Sequence, residues 1–280
     1  MRTGSSQTLR ACTSACAAFL AVAGSMTWAA AAGAATTPKP IPHAHPAAAK
    51  PGTAVSGTIT VSAASSLVNV LPVIAAAFEK HYPRTHVQFN FGGSNALVAQ
   101  VVAGAPVDVL ATASVATMNV AKQSDAVAVP VSFASNTMAV AMPPANPAHI
   151  TTLSDLAKPG VRLAICATAV PCGSAASAVF KLNNLTVTPV TKDLDVATVL
   201  AQVESGDVDA GIVYVTDVRA ARAAVSSVSI PAAQNYVTTY QEATTSHAPN
   251  PIGAMAFYNY LAKSKSASTV FTAYGFAPPQ

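Results

Sequence analysis

Strand-like and helix-like patterns alternate along most of this chain, and the alternation limits the fold more than any other feature. Residues 57–63 alternate in polarity and are rich in β-branched side chains, which is typical of a strand. Apolar residues then recur at helical spacing from residue 67 to about residue 82, and residues 86–91 repeat the strand pattern. Further strands and helices follow at a similar rate. The pattern predicts an α/β fold built from βαβ units, with mostly parallel sheets flanked by helices.

A long apolar segment interrupts this alternation near the middle of the chain. Residues 133–142 are predicted to form one strand around Asn136, which two prolines end. We expect this strand to cross into a second lobe, in which the alternation resumes. The predicted boundaries are residues 57–134 plus about 245–280 for lobe 1, and about 135–244 for lobe 2.

The composition argues against several classes of protein. Hydrophobic residues make up 51% of the 280 residues and the mean hydropathy is +0.42, but the apolar content is mostly Ala and Val in short runs. Beyond the N-terminal region no run reaches the roughly 18 apolar residues of a spanning helix, which excludes a polytopic membrane protein. A chain this apolar can bury a core, which excludes disorder. The net charge of +4, without a cluster of Lys and Arg, argues against a nucleic-acid partner.

The N-terminal region has the features of a secretory signal. Two arginines precede an uncharged stretch at residues 11–35, whose apolar core is followed by small residues. The sequence Ala32-Gly33-Ala34 fits an A-x-A cleavage site, so residues 1–34 are predicted to be a signal peptide that is cleaved near Ala34. The alternative is an uncleaved N-terminal anchor. Residues 35–56, rich in Pro and Ala, are predicted to be an extended linker.

Export bears on the interpretation of the cysteines. Cys12 and Cys16 lie before or within the apolar core of the signal, so lipid attachment is not expected and a periplasmic location is favoured. The mature chain keeps only Cys166 and Cys172, for which a disulfide is one interpretation in an oxidising compartment. A metal site is a weak alternative because no histidine lies nearby in sequence, and a catalytic thiol is another.

Four places where a predicted strand passes into a predicted helix carry groups suited to ligand binding. In α/β sheets, ligands bind beyond the carboxyl ends of the strands, where helix N-termini present unpaired N–H groups and a partial positive charge. None of the four contains Lys or Arg, so together they would bind an oxyanion through neutral donors. Taken singly, each is more simply explained as a helix cap or turn. The junctions are Ser65-Ser66, Gly92-Gly93-Ser94, Pro171-Cys172-Gly173-Ser174 and Asp195-Val196.

Five segments of the chain resemble the molybdate-binding proteins of bacterial ABC importers. ITVSAASSL at 59–67 is similar to their first strand and loop, and FGGSNAL at 91–97 is similar to their second loop. GAPVDV at 104–109, GIVYVTD at 211–217 and YGF at 274–276 resemble three further segments. Order and spacing hold over nearly the whole mature chain, and the first and fourth segments together make the resemblance fairly specific.

The resemblance implies a type II periplasmic-binding-protein fold with the anion in a cleft between the lobes. Serine hydroxyls of the first two loops, two backbone N–H groups and a tyrosine hydroxyl would then contact the anion. Ser65 is an alternative to Ser66 if the register differs by one. The family usually has a small residue where Cys172 stands, and a main-chain donor tolerates that difference. The implied ligand-binding residues are Ser66, Ser94, Cys172, Val196 and Tyr214.

The function implied by the resemblance is extracytoplasmic binding of molybdate and tungstate, and their delivery to the membrane permease of an ABC importer. A monomer without cofactor or enzymatic activity is expected. One alternative is a binding protein for another oxyanion, such as sulfate or phosphate. A different class, an exported hydrolase, is suggested by Ser66, Ser94 and Cys172 but is weakened because the sequence has no G-x-S-x-G motif. Asp108 and Asp217 are expected to orient loops rather than act as acids.

Overall fold

A computed structural model describes residues 54–280 of the chain. These residues form two five-stranded sheets with helices packed on them, and they belong to one compact unit. The predicted signal peptide and nearly all of the predicted linker, residues 1–53, lie outside the described residues. Within residues 54–280, no helix combines the length and apolar character that crossing a bilayer requires.

Strands and helices alternate along the described residues as the sequence pattern predicts. Short 3-10 turns supplement them, of which Ser65–Leu67 bears on the site. The strands are β1 (Gly57–Ala64), β2 (Thr85–Gly92), β3 (Val109–Thr112), β4 (Val131–Asn136), β5 (Met138–Met142), β6 (Leu163–Cys166), β7 (Thr191–Asp193), β8 (Ala210–Tyr214), β9 (Ser226–Ser229) and β10 (Thr238–Thr244). The helices are α1 (Leu71–His81), α2 (Ser94–Val102), α3 (Val115–Gln123), α4 (Pro171–Leu182), α5 (Val196–Ser205), α6 (Val215–Ala221), α7 (Pro251–Lys263) and α8 (Lys265–Ala273).

The two sheets share one topology, and each forms the centre of a lobe. The strand order is β2-β1-β3-β10-β4 in lobe 1 and β7-β6-β8-β5-β9 in lobe 2. In each order the first three strands run parallel, and the fourth is antiparallel to both of its neighbours. Helices join the parallel strands, as crossover connections require. The predicted two-lobed α/β fold is therefore confirmed, with an antiparallel strand inserted into each sheet.

The chain first passes between the lobes through a single residue. β4 ends at Asn136 and β5 begins at Met138, so the segment predicted to form one strand forms two strands in different sheets. The Asn136 side chain accepts a hydrogen bond from the Thr137 N–H (2.9 Å), which removes that N–H from either sheet. The sequence did not indicate this break because both halves have similar strand-like composition.

The second crossing returns the chain to lobe 1 between β9 and β10. The sequence analysis placed residues up to about 244 in lobe 2, but β10 pairs with β3 and β4 in the sheet of lobe 1. The return is therefore complete by Thr238, which is earlier than predicted. A polar strand such as TTYQEAT fits the pattern of either sheet, and only its hydrogen-bonded partners reveal its place.

Each lobe has its own hydrophobic core between its sheet and its helices. In lobe 1, Phe78 of α1 and Phe257 of α7 pack edge to face with ring centroids 5.2 Å apart. Both are fully buried, and burying one such side chain contributes about 1.5–3 kcal/mol. In lobe 2, a Cβ at Gly211 of β8 would lie 2.8 Å from Val199 of α5, so glycine allows that helix to lie close to the sheet. This packing fixes the position of α5, whose N-terminus faces the space between the lobes.

Candidate ligand-binding site

A small cavity lies between the lobes, where strands of both sheets pass into helices. The space between its lining atoms amounts to about 220 Å³, solvent at its mouth included. A space of this size suits a small ligand rather than a drug-sized molecule. Lobe 1 contributes Ala64, Ser65, Ser66, Gly92, Gly93, Ser94 and Ala113; lobe 2 contributes Val170, Pro171, Cys172, Leu194, Asp195, Val196 and Tyr214.

The structure brings together at this cavity every residue that the sequence analysis assigned to ligand binding. All four predicted strand–helix junctions reach it, although they are separated by up to 130 positions in sequence (Ser66 to Val196). Ser65 lines the cavity beside Ser66, so the alternative between these two hydroxyls stays open. The predicted residues among the lining are Ser66, Ser94, Cys172, Val196 and Tyr214.

A hydrogen-bond chain behind the cavity orients the Ser66 hydroxyl. The oxygens of Ser66 and Tyr240 lie 2.9 Å apart in the buried interior, and the Asn136 Nδ2 group lies 3.5 Å from the Tyr240 oxygen. Asn136 can only donate through this nitrogen, whereas either hydroxyl can donate in the Ser66–Tyr240 contact. When Tyr240 donates to Ser66, the Ser66 proton is free to point into the cavity. Asn136 Nδ2 also donates to Thr216 of lobe 2 (2.7 Å), which ties the chain to the first crossing.

The hydroxyl of Ser94, at the start of α2, also takes part in a hydrogen bond within lobe 1. Its hydroxyl oxygen accepts a hydrogen bond from the Ala113 N–H (3.1 Å), and the residue is almost fully buried. The hydroxyl proton therefore remains available to a ligand. Both serines thus offer O–H donors whose orientation is set from within lobe 1.

Lobe 2 offers backbone N–H groups at two helix starts. Cys172 lies in the first turn of α4, after Pro171, and Val196 is the first residue of α5. First-turn N–H groups have no partner within the helix and carry the positive end of its dipole. The Asp195 carboxylate, which also lines the cavity, accepts from the Thr198 N–H (3.0 Å) and so caps α5.

Tyr214 is the lobe 2 side chain with the clearest unmet hydrogen-bonding capacity at the cavity. Its hydroxyl is buried and has no hydrogen-bond partner among the described residues. Burial raises the pKa of Tyr214 well above its usual range, and Tyr240 and Asp217 add to this, so the hydroxyl keeps its proton. A buried donor without a partner costs about 1–3 kcal/mol, which a ligand oxygen would offset.

Asp217 lies next to Tyr214 and is about half protonated near pH 7. Its carboxyl accepts from the Tyr214 N–H (3.0 Å), as expected of a residue that orients the loop. Burial raises the pKa of Asp217 to about 7, and this hydrogen bond only partly opposes the rise. Below that pH the carboxyl adds no negative charge near the cavity.

The cavity therefore has a donor-rich, nearly uncharged lining. No Lys, Arg or His is among its residues, and Asp195 is the one carboxylate. Among residues 54–280, no group of three or more His, Cys, Asp or Glu side chains is placed to hold a metal ion. Converging neutral donors of this kind suit an oxyanion that is held by hydrogen bonds rather than by ion pairs.

The two cysteines of the mature chain form a disulfide, which bears on the cavity wall. Cys166, the last residue of β6, is bonded to Cys172 at the start of α4. A disulfide sulfur has no thiol proton and is not the thiolate nucleophile that a cysteine hydrolase needs. The bond leaves the Cys172 N–H free to face a ligand.

The lobes touch at one side of the cavity. A Cβ at Gly93 of lobe 1 would lie 2.4 Å from the Leu194 carbonyl oxygen of lobe 2, so only glycine permits this approach. The Asn95 side chain of lobe 1 donates to the Ala169 carbonyl of lobe 2 (2.7 Å). The structure therefore describes a closed arrangement of the lobes.

Sequence reasoning missed Tyr240 and Asn95. Tyr240 lies on β10, 174 residues after the Ser66 hydroxyl that it contacts, and Asn95 was only part of a loop motif. No local pattern marks either contact. For Tyr240 the one available signal was a tyrosine in an otherwise polar strand.

Two lobes joined by two crossings, with a small donor-lined cavity between them, define the class of solute-binding proteins. The chain belongs to one such family: the model of the bacterial extracellular solute-binding proteins matches residues 59–277.

Relatives and solved structures agree with this assignment. Molybdate-binding protein ModA of Mycobacterium tuberculosis is 34% identical over 223 residues, which cover 79% of this chain and 85% of that protein. The periplasmic molybdate-binding protein of Azotobacter vinelandii has a similar structure, with a TM-score of 0.70 and 22% identity, over 79% of this chain and all of that one. The sulfate-binding protein SubI of M. tuberculosis has a TM-score of 0.68 and 17% identity, over 79% of this chain and 87% of that one. At such identities the structural likeness shows the fold.

Proposed function

We propose that this protein binds molybdate and tungstate outside the cytoplasm and delivers them to an ABC importer. The observation that carries the proposal is the closed cavity lined by neutral donors from both lobes. A relative at 34% identity that is named for molybdate binding supports the choice of ligand.

The mechanism is lobe closure around the anion. Ser66 and Ser94 donate from lobe 1, whereas the Cys172 and Val196 N–H groups and the Tyr214 hydroxyl donate from lobe 2. Only the closed form brings both sets to one anion, so the ligand stabilises that form. Opening at the permease would separate the two sets and release the anion.

Neutral hydrogen-bond donors select among anions by their protonation state and size. Molybdate, tungstate and sulfate are unprotonated dianions near pH 7, whereas phosphate carries at least one proton that needs an acceptor. The one carboxylate of the lining, Asp195, already caps α5. This favours an unprotonated dianion, because an unpaired buried polar group costs about 1–3 kcal/mol.

Sulfate is the second candidate, since it shares charge and shape with molybdate. The similar fold of a sulfate-binding protein shows that the architecture does not itself decide between them. The size of the closed cavity decides between sulfate and molybdate, and binding experiments with each anion measure that preference.

We further propose binding without turnover. The lining residues include no histidine, and Cys172 is in a disulfide, so they pair no activated nucleophile with a base. The protein would act as an exported monomer, with residues 1–34 as the export signal and the membrane permease as its partner.

A thermal-unfolding series tests the proposal on residues 35–280 with molybdate, tungstate, sulfate and phosphate in parallel. A ligand at a hundred times its Kd adds roughly 2.7 kcal/mol to the folded state, which raises Tm by several degrees. We expect a shift with molybdate and tungstate. A shift with sulfate or phosphate alone would replace the ligand, and no shift with any anion, on protein free of co-purified anion, would refute oxyanion binding.

A further inference from the structure

The disulfide-closed loop of lobe 2, residues 166–172, touches both the cavity and lobe 1. Its second cysteine, Cys172, lines the cavity. Midway along the loop, the Ala169 carbonyl accepts the hydrogen bond from Asn95 of lobe 1. One covalently closed ring therefore carries part of the cavity wall and a contact between the lobes.

The Asn95–Ala169 hydrogen bond lies where it can hold the two lobes together. Within residues 54–280, the other hydrogen bonds that join the lobes lie at the two crossings, where a hinge would be. At the first crossing, Asn136 donates to Thr216 and the Val215 N–H donates to Thr137. At the second crossing, Asn235 pairs with Met138 and Asn183 donates to Gln234. The Asn95–Ala169 bond is the one formed between the lobes away from both crossings, and opening of the cleft would break it.

A hydrogen bond within lobe 1 orients the Asn95 side chain, which donates to lobe 2. The Thr117 hydroxyl donates to the Asn95 Oδ1 atom (3.3 Å), so the amide nitrogen is turned towards Ala169. Thr117 is itself held by the Ser114 hydroxyl (2.8 Å), both on or next to α3. Lobe 1 thus presents a preorganised donor.

The position of the acceptor, the Ala169 carbonyl, depends on the loop that contains it. Ala169 is exposed, and the loop around it is held by the Ala167 N–H to Asp193 bond (2.8 Å) and by the Val170 N–H to Ala167 bond (3.0 Å). At its base, a Cβ on Gly173 would lie 1.9 Å from the Ala167 carbonyl oxygen, so the first turn of α4 fits tightly against the loop. The disulfide joins the two ends of a segment in which residues 168 and 169 are exposed.

We infer that the Cys166–Cys172 disulfide is a positioning element that holds the Ala169 carbonyl within reach of Asn95, so that the two together keep the closed cleft shut around its ligand. Asn95 and the cysteines then set how long the anion stays bound. The inference rests on the proposed function only in requiring an anion between the lobes.

A double-mutant cycle on the mature protein tests this, with molybdate as the probe. Wild type, Asn95→Ala, Cys166→Ser/Cys172→Ser and the combined variant are loaded with radioactive molybdate and chased with unlabelled anion. We expect koff to rise about three- to tenfold in Asn95→Ala, the usual effect of one lost hydrogen bond, with kon little changed. The cysteine variant should show a similar rise, and the combined variant should be no worse than the more affected parent, because both act through one bond.

The matched control is Asn259→Ala, which removes a half-buried asparagine whose side-chain hydrogen bonds stay within α7. Its koff should equal that of wild type. An unchanged koff in Asn95→Ala, or additive effects in the combined variant, would overturn the inference. If the serine variant does not fold, Cys166→Val/Cys172→Ala takes its place in the cycle.

Amide hydrogen exchange separates this inference from the proposed function. If wild type binds neither molybdate nor another anion, the proposed function fails, and the loop is judged by exchange alone. Loss of the disulfide should then speed exchange at residues 167–173 while α7 stays unchanged. Unchanged exchange in the loop would overturn the positioning role.

Discussion

Lobe 1 presents side-chain hydroxyls to the cavity, whereas lobe 2 presents mainly backbone N–H groups. The proposed donors of lobe 1 are Ser66 and Ser94, each of which makes a hydrogen bond within its own lobe. Those of lobe 2 at Cys172 and Val196 are fixed by the starts of α4 and α5. The sheets share one topology, so equal architecture can carry donors of different chemical origin. The difference implies that side-chain identity matters in lobe 1 and that backbone placement matters in lobe 2.

The largest effect is expected where the two lobes touch. Gly93→Ala would place a methyl group 2.4 Å from the Leu194 oxygen, so the lobes could not close fully. Since each hydrogen bond lost to a charged ligand costs about 1.5–3 kcal/mol, weakening two donors of lobe 2 should raise Kd for molybdate roughly 100-fold or more. Calorimetric titration measures it. A Kd equal to that of wild type would contradict the closure argument.

Two buried carboxyls extend the comparison to the lobe interiors. Glu242 of lobe 1 is fully buried with no partner for either oxygen, whereas Asp217 of lobe 2 accepts one N–H. Burial raises the pKa of Glu242 well above its usual range and that of Asp217 from 3.8 to about 7. The unfolded state therefore binds fewer protons, and the free energy of unfolding falls as pH rises from about 4 to 7.

Asp217→Asn and Glu242→Gln should remove parts of this pH dependence. At about 1.4 kcal/mol per pKa unit, Asp217→Asn is expected to gain up to about 4 kcal/mol over wild type at pH 8, and little at pH 4. The gain for Glu242→Gln should be larger, because its carboxyl lacks any partner. Urea unfolding at pH 4, 6 and 8 measures both. Parallel pH profiles for wild type and variants would show that the carboxyls are not the cause.

A matched pair of substitutions tests the contrast between side-chain and backbone donors. Ser66→Ala removes a donor and should raise Kd for molybdate about 10- to 100-fold, since a lost hydrogen bond to a charged group costs about 1.5–3 kcal/mol. Val196→Ala keeps the N–H and should change Kd less than about twofold, because the backbone donor remains. Titration under identical conditions compares them. Equal effects would mean that lobe 2 also binds through its side chains.

A smaller loss of affinity than in Ser66→Ala is expected at the side-chain donor of lobe 2. Tyr214→Phe removes a buried hydroxyl that has no partner among the described residues. The ligand-free protein should gain stability by about 1 kcal/mol, while molybdate affinity falls about threefold to tenfold. Thermal unfolding with and without ligand reads both changes. A loss of stability without ligand would mean that the hydroxyl has a partner in the ligand-free state.

The sequence was sufficient to predict the fold class and to name the residues that line the cavity. Ser66, Ser94 and Val196 sit at helix starts, and such starts leave a local signal in Ser, Gly and Asp. The residues alone did not show that these starts converge, because they follow strands of two different sheets; the resemblance to the molybdate-binding family implied it.

What sequence reasoning missed depends on partners far away along the chain. The break at Thr137 and the place of β10 are decided by which strand each segment pairs with, and a period-2 pattern is the same in either sheet. The contacts of Tyr240 with Ser66 and of Asn95 with Ala169 span 174 and 74 residues. No short-range pattern encodes such pairs.

The crossings between the lobes also set an order in which the protein can acquire its structure. All strands of lobe 2 lie between Met138 and Ser229, so its sheet needs one continuous stretch of chain. Lobe 1 must wait for β10, which separates β3 from β4 and comes after the whole of lobe 2. As the chain emerges from its N-terminus, lobe 2 can therefore complete its sheet first, and lobe 1 remains open at its centre until Thr238–Thr244 arrives. Lobe 1, whose strands come first along the chain, is thus the last to complete its sheet.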